Sequence, residues 1–560
     1  MKSENKVRRS LADSDCPDSS SANAPGKHVK PSRKKGRELL AEALRALKKL
    51  QDKHHGVVET GSLSEEHRAV LVEVGFLRPV IKGWYIVGDP SGRDGDSTAW
   101  FATFWAFVSG YLSKRFGKRY CLNPEASLLL GTGSTTVPRQ VVAVTLEGGT
   151  SILKLPFDTS LMLYPDEKRV PRSRTEARSL QVWPVAEALC LVGPQIFIAH
   201  PREAEIALAL IRDPSELLTT LLAGDGMQSA AARLAGALQF VRRPDEAERI
   251  LRAFEQSGHT LRPVNPFELS DPTLLPSRER SPYVLRLRSM WASWRQTVID
   301  HFPPPPGLDS DAEAYLAQVE ERYHADAYNS LSIEGYQVTD ELITRVASGN
   351  WNPEGNPDDK KDRDVLAARG YYQAFNSVKE SIAAVCKGEN AGRVVQRDHH
   401  NWYSELFAPA VIAGILKRNQ LVGYRTGPIY IRNSMHTPVP REAILDSLEV
   451  LWEMLREEPH AGVRAVLGHH LLVFIHPYFD GNGRIGRFLM NTLLASGGYP
   501  WTVIRMKRRK EYMAALERAS VHGDIIALTE FIATEMTDWS PEREDGRSAR
   551  EPLAVERVRL

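Results

Sequence analysis

The stretch "HPYFDGNGRIGR", residues 476–487, decides how the C-terminal half of the chain is read. The preceding "GHHLLVFI" (468–475) is apolar and helical, and Pro477 stops it, because proline cannot continue a helix interior. His476 therefore falls at a helix C-terminus. Gly481 and Gly483 permit a tight turn and let main-chain N–H groups approach a ligand closely. A second helix is expected from about Asn482 to Ala495, with Ile485, Phe488, Leu489 and Leu493 as its apolar face. Such a loop at a helix N-terminus offers free N–H donors and a positive dipole end, which together favour an anion. Arg484 and Arg487 add bidentate contacts suited to phosphate. Asp480 is a hard oxygen ligand of the kind Mg²⁺ takes when it binds phosphates. His476 titrates near neutrality and suits a general base. The set fits transfer of a phosphate-containing group to an acceptor hydroxyl. Each residue alone has a plainer reading: a helix-end histidine, a tight Asp-Gly-Asn-Gly turn, two arginines on a solvated face. A metal-hydrolase reading with His469, His476 and Asp480 as ligands finds no third neutral donor at metal spacing and leaves the glycines unexplained.

The stretch resembles the signature of the Fic/DOC family, H-P-F-x-D/E-G-N-G/K-R-x-x-R, with Tyr478 where phenylalanine is usual. Similarity extends upstream through "HHLLVFIHP" and downstream into "RKEYMAALERA", over roughly the last 260 residues. The resemblance implies a C-terminal all-α Fic domain with a β-hairpin flap, and an adenylyltransferase (AMPylator) that moves AMP from ATP to a Tyr, Thr or Ser hydroxyl of a protein, which includes the chain itself. It implies that His476 deprotonates the hydroxyl and that Asp480 holds Mg²⁺. Gly481, Asn482, Gly483 and Arg484 would cradle the phosphates, and Arg487 would pair with the γ-phosphate. Tyr371, Tyr372 and Tyr512 are candidates for adenine contacts.

Two further segments extend the resemblance. "GYRTGPIYIRNSMHTPVP" (423–440) contains the alternating run Ile429, Tyr430, Ile431 and resembles the flap over the active site. Such a strand edge would align an extended target by β-augmentation. "NSLSIEGYQVT" (329–339) resembles the inhibitory pattern S/T-x-x-x-E-G/N through Ser330, Glu334 and Gly335. Ser330 and Glu334 are four apart, hence on one helix face. Leu316, Val319 and Tyr323 form a buried stripe just upstream. In the family, this glutamate pairs with the arginine at position 487 here and keeps ATP in a non-productive pose.

The chain of 560 residues carries a formal net charge of +2, so it presents no strong overall field to nucleic acid or membrane. Four cysteines lie far apart, no apolar run approaches a membrane span, and a reducing, cytoplasmic setting without a membrane partner is expected. Residues 1–36 read as a basic, disordered tail. Residues 37–92 read as a winged helix-turn-helix, with Ser62 and Glu65 at capping-box spacing and Ala69, Val70 and Val74 as a stripe. Residues 93–265 form an α/β region followed by helices and, through "LNPEASLLLGTG", "VPRQVVAVTL", "RLAGALQFV" and "AERILRAF", resemble an AbiEi-type antitoxin or regulator; 266–289 read as a linker, 290–540 as the Fic domain and 541–560 as a loose tail. The fold class is therefore mainly α, with an α/β region in the N-terminal half. Arg68, Arg78, Lys82 and the basic tail offer phosphate contacts to DNA, while Glu65, Glu66 and Glu73 on the same helix oppose them. A second reading follows: a DNA-binding transcriptional regulator or antitoxin-like protein, compatible with a homodimer, whose Fic domain senses nucleotide or removes AMP.

Overall fold

Runs with helical apolar spacing fold as helices through most of the chain, and the structure is mainly α. It is a computed structural model that describes residues 33–538 apart from 55, 91–95, 225, 270, 277–278, 280, 309–310, 349–362, 419–420, 422, 428 and 430. Residues 349–362 and most of both tails lie outside the described residues.

The chain begins α1 (Arg33–His54), β1 (Val57–Glu59), α2 (Glu65–Glu73), β2 (Leu77–Ile81) and β3 (Trp84–Val87), with the strands in antiparallel order β1-β3-β2. Residues 33–36 are thus helix rather than tail. A 3₁₀ turn, Thr60–Ser62, stands between β1 and α2. The cap of α2 is Ser64, whose Oγ accepts from His67 N at 3.2 Å, not Ser62. Leu71 is the buried residue of α2, while Ala69 and Val74 are exposed, so the expected stripe is rotated. Spacing alone could not fix which face meets α1.

Next come α3 (Thr98–Phe116), β4 (Tyr120–Leu122), α4 (Pro124–Gly131), β5 (Gln140–Thr145), β6 (Ser151–Lys154), β7 (Ser160–Pro165), β8 (Thr175–Ala177) and β9 (Leu180–Val182). The sheet order is β4-β5-β7-β6, with β5 and β7 parallel and the outer pairs antiparallel. α4, absent from the sequence reading, is fixed by Asn123, which accepts from Ala126 N at 3.1 Å, with Pro124 in the first turn. A helical layer follows: α5 (Val185–Leu191), α6 (Gln195–Ala199), α7 (Pro201–Leu210), α8 (Ser215–Ala223), α9 (Gln228–Phe240) and α10 (Pro244–Gln256).

The second half opens with α11 (Pro282–His301), capped by Ser281, so residues 282–289 are helix and the linker is shorter than expected. Then come α12 (Ala312–Glu321), α13 (Tyr323–Ile333), α14 (Asp340–Ala347), α15 (Arg363–Cys386), α16 (Ala391–Ile412), α17 (Ile444–Glu457), α18 (Ala461–Ile475), α19 (Asn482–Ala495), α20 (Arg509–Glu517) and α21 (Ile526–Thr537). They share one apolar core, with α18 buried on nearly every side. Val319 and Tyr323 are buried in it and Leu316 partly so.

The halves meet along α11. Arg286, 5% exposed, donates to Gly133 O at 2.9 Å and Thr132 O at 3.3 Å and pairs with Glu203 at 2.9 Å. Arg202 lies 5.2 Å over the Trp294 ring. Removing one partner from a buried pair of this kind costs about 3–5 kcal/mol, so the halves are held in register.

Candidate active site

α18 delivers His476. The residue closes the helix in a left-handed conformation (φ 54°, ψ 61°), and its main-chain N–H still donates to Leu472 O at 2.9 Å. Its Nδ1 lies 3.1 Å from Val473 O. A carbonyl only accepts, so Nδ1 carries the proton and Nε2 keeps its lone pair. Burial lowers the imidazole to about 4; the Val473 carbonyl opposes this, Arg425 adds to it, and Glu334 and Asp480 oppose it. The ring is therefore neutral at pH 7, the state a base needs.

The loop turns at Gly481, where φ is +79° and an added Cβ would lie 2.9 Å from the Phe407 ring. Asn482 sets the loop's shape: its Oδ1 accepts from Tyr478 N at 2.9 Å and its Nδ2 donates to Tyr478 O at 2.7 Å. One Nδ2–H and Oδ1 thus hold the loop, and the second Nδ2–H and the main-chain N–H remain as donors. Tyr478 is stacked on Tyr403 at 4.0 Å, and its buried hydroxyl has no hydrogen-bond partner among the described residues.

Arg484 and Arg487, expected to contact phosphate, are buried rather than on a solvated face, at 1% and 2% exposure. Arg484 is sandwiched between the rings of Tyr336 (5.2 Å) and Phe407 (5.1 Å), and its Nη2 lies 3.3 Å from Asp480 Oδ2. Its Nε has no hydrogen-bond partner among the described residues, so a buried cation stands with unused donor capacity. Asp480 is half exposed; its Oδ1 accepts from Gly481 N at 2.6 Å and leaves Oδ2 beside Arg484.

Arg487 is paired. Its Nε donates to Ser330 Oγ at 2.8 Å, and its Nη2 to Ser330 O at 3.1 Å and Glu334 Oε1 at 2.8 Å. Burial works against this guanidinium's charge, but Glu334 outweighs it and holds the group above its ordinary value. Glu334 caps the C-terminus of α13, and Gly335 follows at φ +89°, turning the chain away. The Glu334 carboxylate also covers Gly483: a Cβ there would fall 2.4 Å from Oε1. An anion of the protein's own thus sits on the N-terminus of α19.

The remaining candidates do not join the site as expected. Tyr371 and Tyr512 are buried behind Arg487, Tyr371 donating to Asp326 at 2.5 Å and Tyr512 2.8 Å from His469 Nε2, so neither faces an open adenine site. Tyr372 packs edge-on against Tyr323. His469 is fully buried and pairs with Tyr512, and no group of three or more His, Cys, Asp or Glu able to hold a metal occurs among the described residues. Tyr430 lies outside the described residues, and Ile429 and Ile431 join no strand ladder among them. The segment is anchored elsewhere instead: an isolated antiparallel bridge links Thr136 to His436, Thr437 N donates to Thr135 O at 2.7 Å, and Asn433 N donates to Thr98 Oγ1 at 2.9 Å. In the N-terminal half, Arg68 donates to Thr60 O and Arg78 to the carbonyls of Asp89 and Asp96, so both tie down their own loops; Lys82 is exposed.

Arg425 is a residue that sequence reasoning missed. Buried at 3% exposure, it donates through Nε to His476 O at 2.7 Å. The available signal was an arginine in an apolar, glycine-flanked run with no acid at helical spacing. Tyr336 and Phe407, which flank Arg484, gave none beyond being aromatic.

The Fic/DOC family pattern matches residues 401–494. "Protein adenylyltransferase Fic" of Nematostella vectensis is 37% identical over 121 residues, covering 20% of this chain and 27% of that protein. Its namesake in Drosophila grimshawi is 49% identical over 75 residues, or 13% and 15% of the two chains. The chain spans about a quarter or less of the length of such curated relatives. Among solved structures, Fic-1 from C. elegans aligns with 63% of this chain and 88% of its own at 17% identity, TM-score 0.32.

Proposed function

We propose that this chain, whose residues 401–494 are a Fic domain, is an adenylyltransferase that moves AMP from ATP to a Tyr, Thr or Ser hydroxyl of a protein and is held back by Glu334. One observation carries the reading: Arg487 and the Gly483 backbone, an anion site by every local feature, are occupied by the carboxylate of Glu334 at 2.8 Å.

The reaction follows from the groups in place. His476 Nε2 accepts the proton of the acceptor hydroxyl as its oxygen attacks the α-phosphorus, and pyrophosphate leaves. The free N–H groups of α19 and the Arg484 guanidinium take up the phosphate charge, and this preorganised field supplies most of the acceleration. Mg²⁺ fits the donor set, since Asp480 has an exposed oxygen and phosphates supply further ligands; bound there it would neutralise phosphate charge. With Glu334 in place, Arg487 is unavailable to the γ-phosphate.

Incubation with α-labelled ATP tests this. Glu334→Gly should raise label on the chain about 10-fold or more, the equivalent of one charge-assisted hydrogen bond released. His476→Ala in that background should abolish it. Equal labelling of Glu334→Gly and the parent chain would remove the brake from the account.

A further inference from the structure

We propose that Arg425 is a positioning residue for this transfer: its guanidinium fixes the main chain of His476 and, with the same fork, closes both ends of the segment 427–439 beside it. The proposal rests on the adenylyl-transfer reading.

His476 holds a left-handed backbone, which is strained for a non-glycine residue and persists only where the surroundings over-determine it. Arg425 is that surrounding. Its main-chain N donates to Pro477 O at 2.9 Å, its Nε to His476 O at 2.7 Å and its Nη2 to Ile475 O at 3.4 Å. Three successive carbonyls at the end of α18 thus point at one residue. The Ile475 and His476 carbonyls are among the acceptors a helix C-terminus leaves unsatisfied, that of Pro477 follows just beyond, and a cation there also meets the negative end of the dipole.

The same side chain reaches the neighbouring segment. Nη1 donates to Gly427 O at 3.2 Å and Nη2 to Val439 O. Residues 427 and 439 are therefore drawn to one point beside His476. All the side-chain hydrogen bonds of Arg425 among the described residues go to main-chain oxygens, and burial lowers it to about 10, with Glu442 opposing. A cation buried without a counter-charge is expensive unless its hydrogen bonds are made. Here main-chain oxygens make them. Lysine could not: a point-charge ammonium lacks the planar fork needed to serve both segments. Arg425 also lines a cavity of about 560 Å³ shared with Leu421, Tyr424, Ile444 and Leu445.

The test uses the full chain carrying Glu334→Gly, with α-labelled ATP and the chain as its own acceptor. Arg425→Lys should cut the rate at saturating ATP about 10- to 100-fold, the scale of a misplaced reacting group. The ATP concentration for half-maximal rate should stay within about twofold, because no contact to nucleotide is removed. Arg425→Gln, which keeps side-chain donors, should lose rate likewise and recover part of it on addition of methylguanidinium; this arm decides if Arg425→Lys melts well below the parent. A parental rate in Arg425→Lys, a loss appearing only in the half-saturating ATP, or failure of methylguanidinium to restore Arg425→Gln would overturn the proposal. A silent Glu334→Gly parent would instead overturn the adenylyl-transfer reading, and the proposal with it.

Discussion

A single imidazole sets the pH behaviour of the site. His476 is lowered to about 4, first by burial and then by Arg425, against the pull of the Val473 carbonyl, Glu334 and Asp480. An ordinary histidine would lose its base function as pH falls through 6.5; this one should keep it further into acid. In the Glu334→Gly chain at saturating ATP, transfer should hold from pH 8 to about 5.5. A half-loss centred near 6.5 or higher would show that the ring is solvated in action. His476 itself was legible in the sequence because Pro477 forces a helix end beside it. Its pKa was not, since the burial that mainly lowers it arises only on folding, as does the approach of Arg425 from 51 residues upstream.

At the scale of elements, α19 is an anion site and α13 is the element that fills it. The first turn of α19 contains no acidic residue of its own, and Glu334 arrives from 149 positions before Gly483. Glycine at 483 leaves the space that the Glu334 carboxylate occupies, the same space the proposed phosphate would need. In the Glu334→Gly background, Gly483→Ala should lower transfer about tenfold or more through the lost backbone approach. Labelling unchanged by that methyl group would mean the phosphates lie elsewhere. The Ser330–Glu334 spacing read correctly as one face, since i and i+4 share a face in any helix. The strand expected at 429–431 lies partly outside the described residues, and alternation by itself only says that a segment has two faces. Its neighbours bond to Arg425 and to Thr135, Thr136 and Thr98 rather than to a local partner strand.

Across the whole molecule, the C-terminal half stores protons poorly. His399, His469 and His476 are lowered to about 4, and His436 and His470 to about 3, in each case by burial first. The unfolded chain therefore takes up protons near 6.5 while the folded one refuses them. Stability is full above that value and is lost as pH falls from 6.5 towards 4 and then 3, at about 1–2 kcal/mol per residue by pH 5. Melting should occur well lower at pH 5 than at pH 7.5. His470, whose ring nitrogens have no partner among the described residues, is the sharpest case. His470→Leu should make the drop between the two pH values smaller; an unchanged drop would show that other groups govern it. The N-terminal half also enters the site's architecture, since Thr98, Thr135 and Thr136 brace the segment at 433–437.

The sequence by itself determined the local chemistry: a helix stopped at Pro477, a glycine bend, a new helix N-terminus, and a base, carboxylate and two arginines in fixed order. These depend on spacing and backbone freedom, which are properties of neighbouring residues. Only the tertiary structure decided which groups are paired, buried or aimed. Glu334 over Gly483, Arg425 on the carbonyl of His476, and the rings enclosing Arg484 all join residues far apart in the chain. Such contacts are selected by how whole helices pack, and no local pattern carries that information.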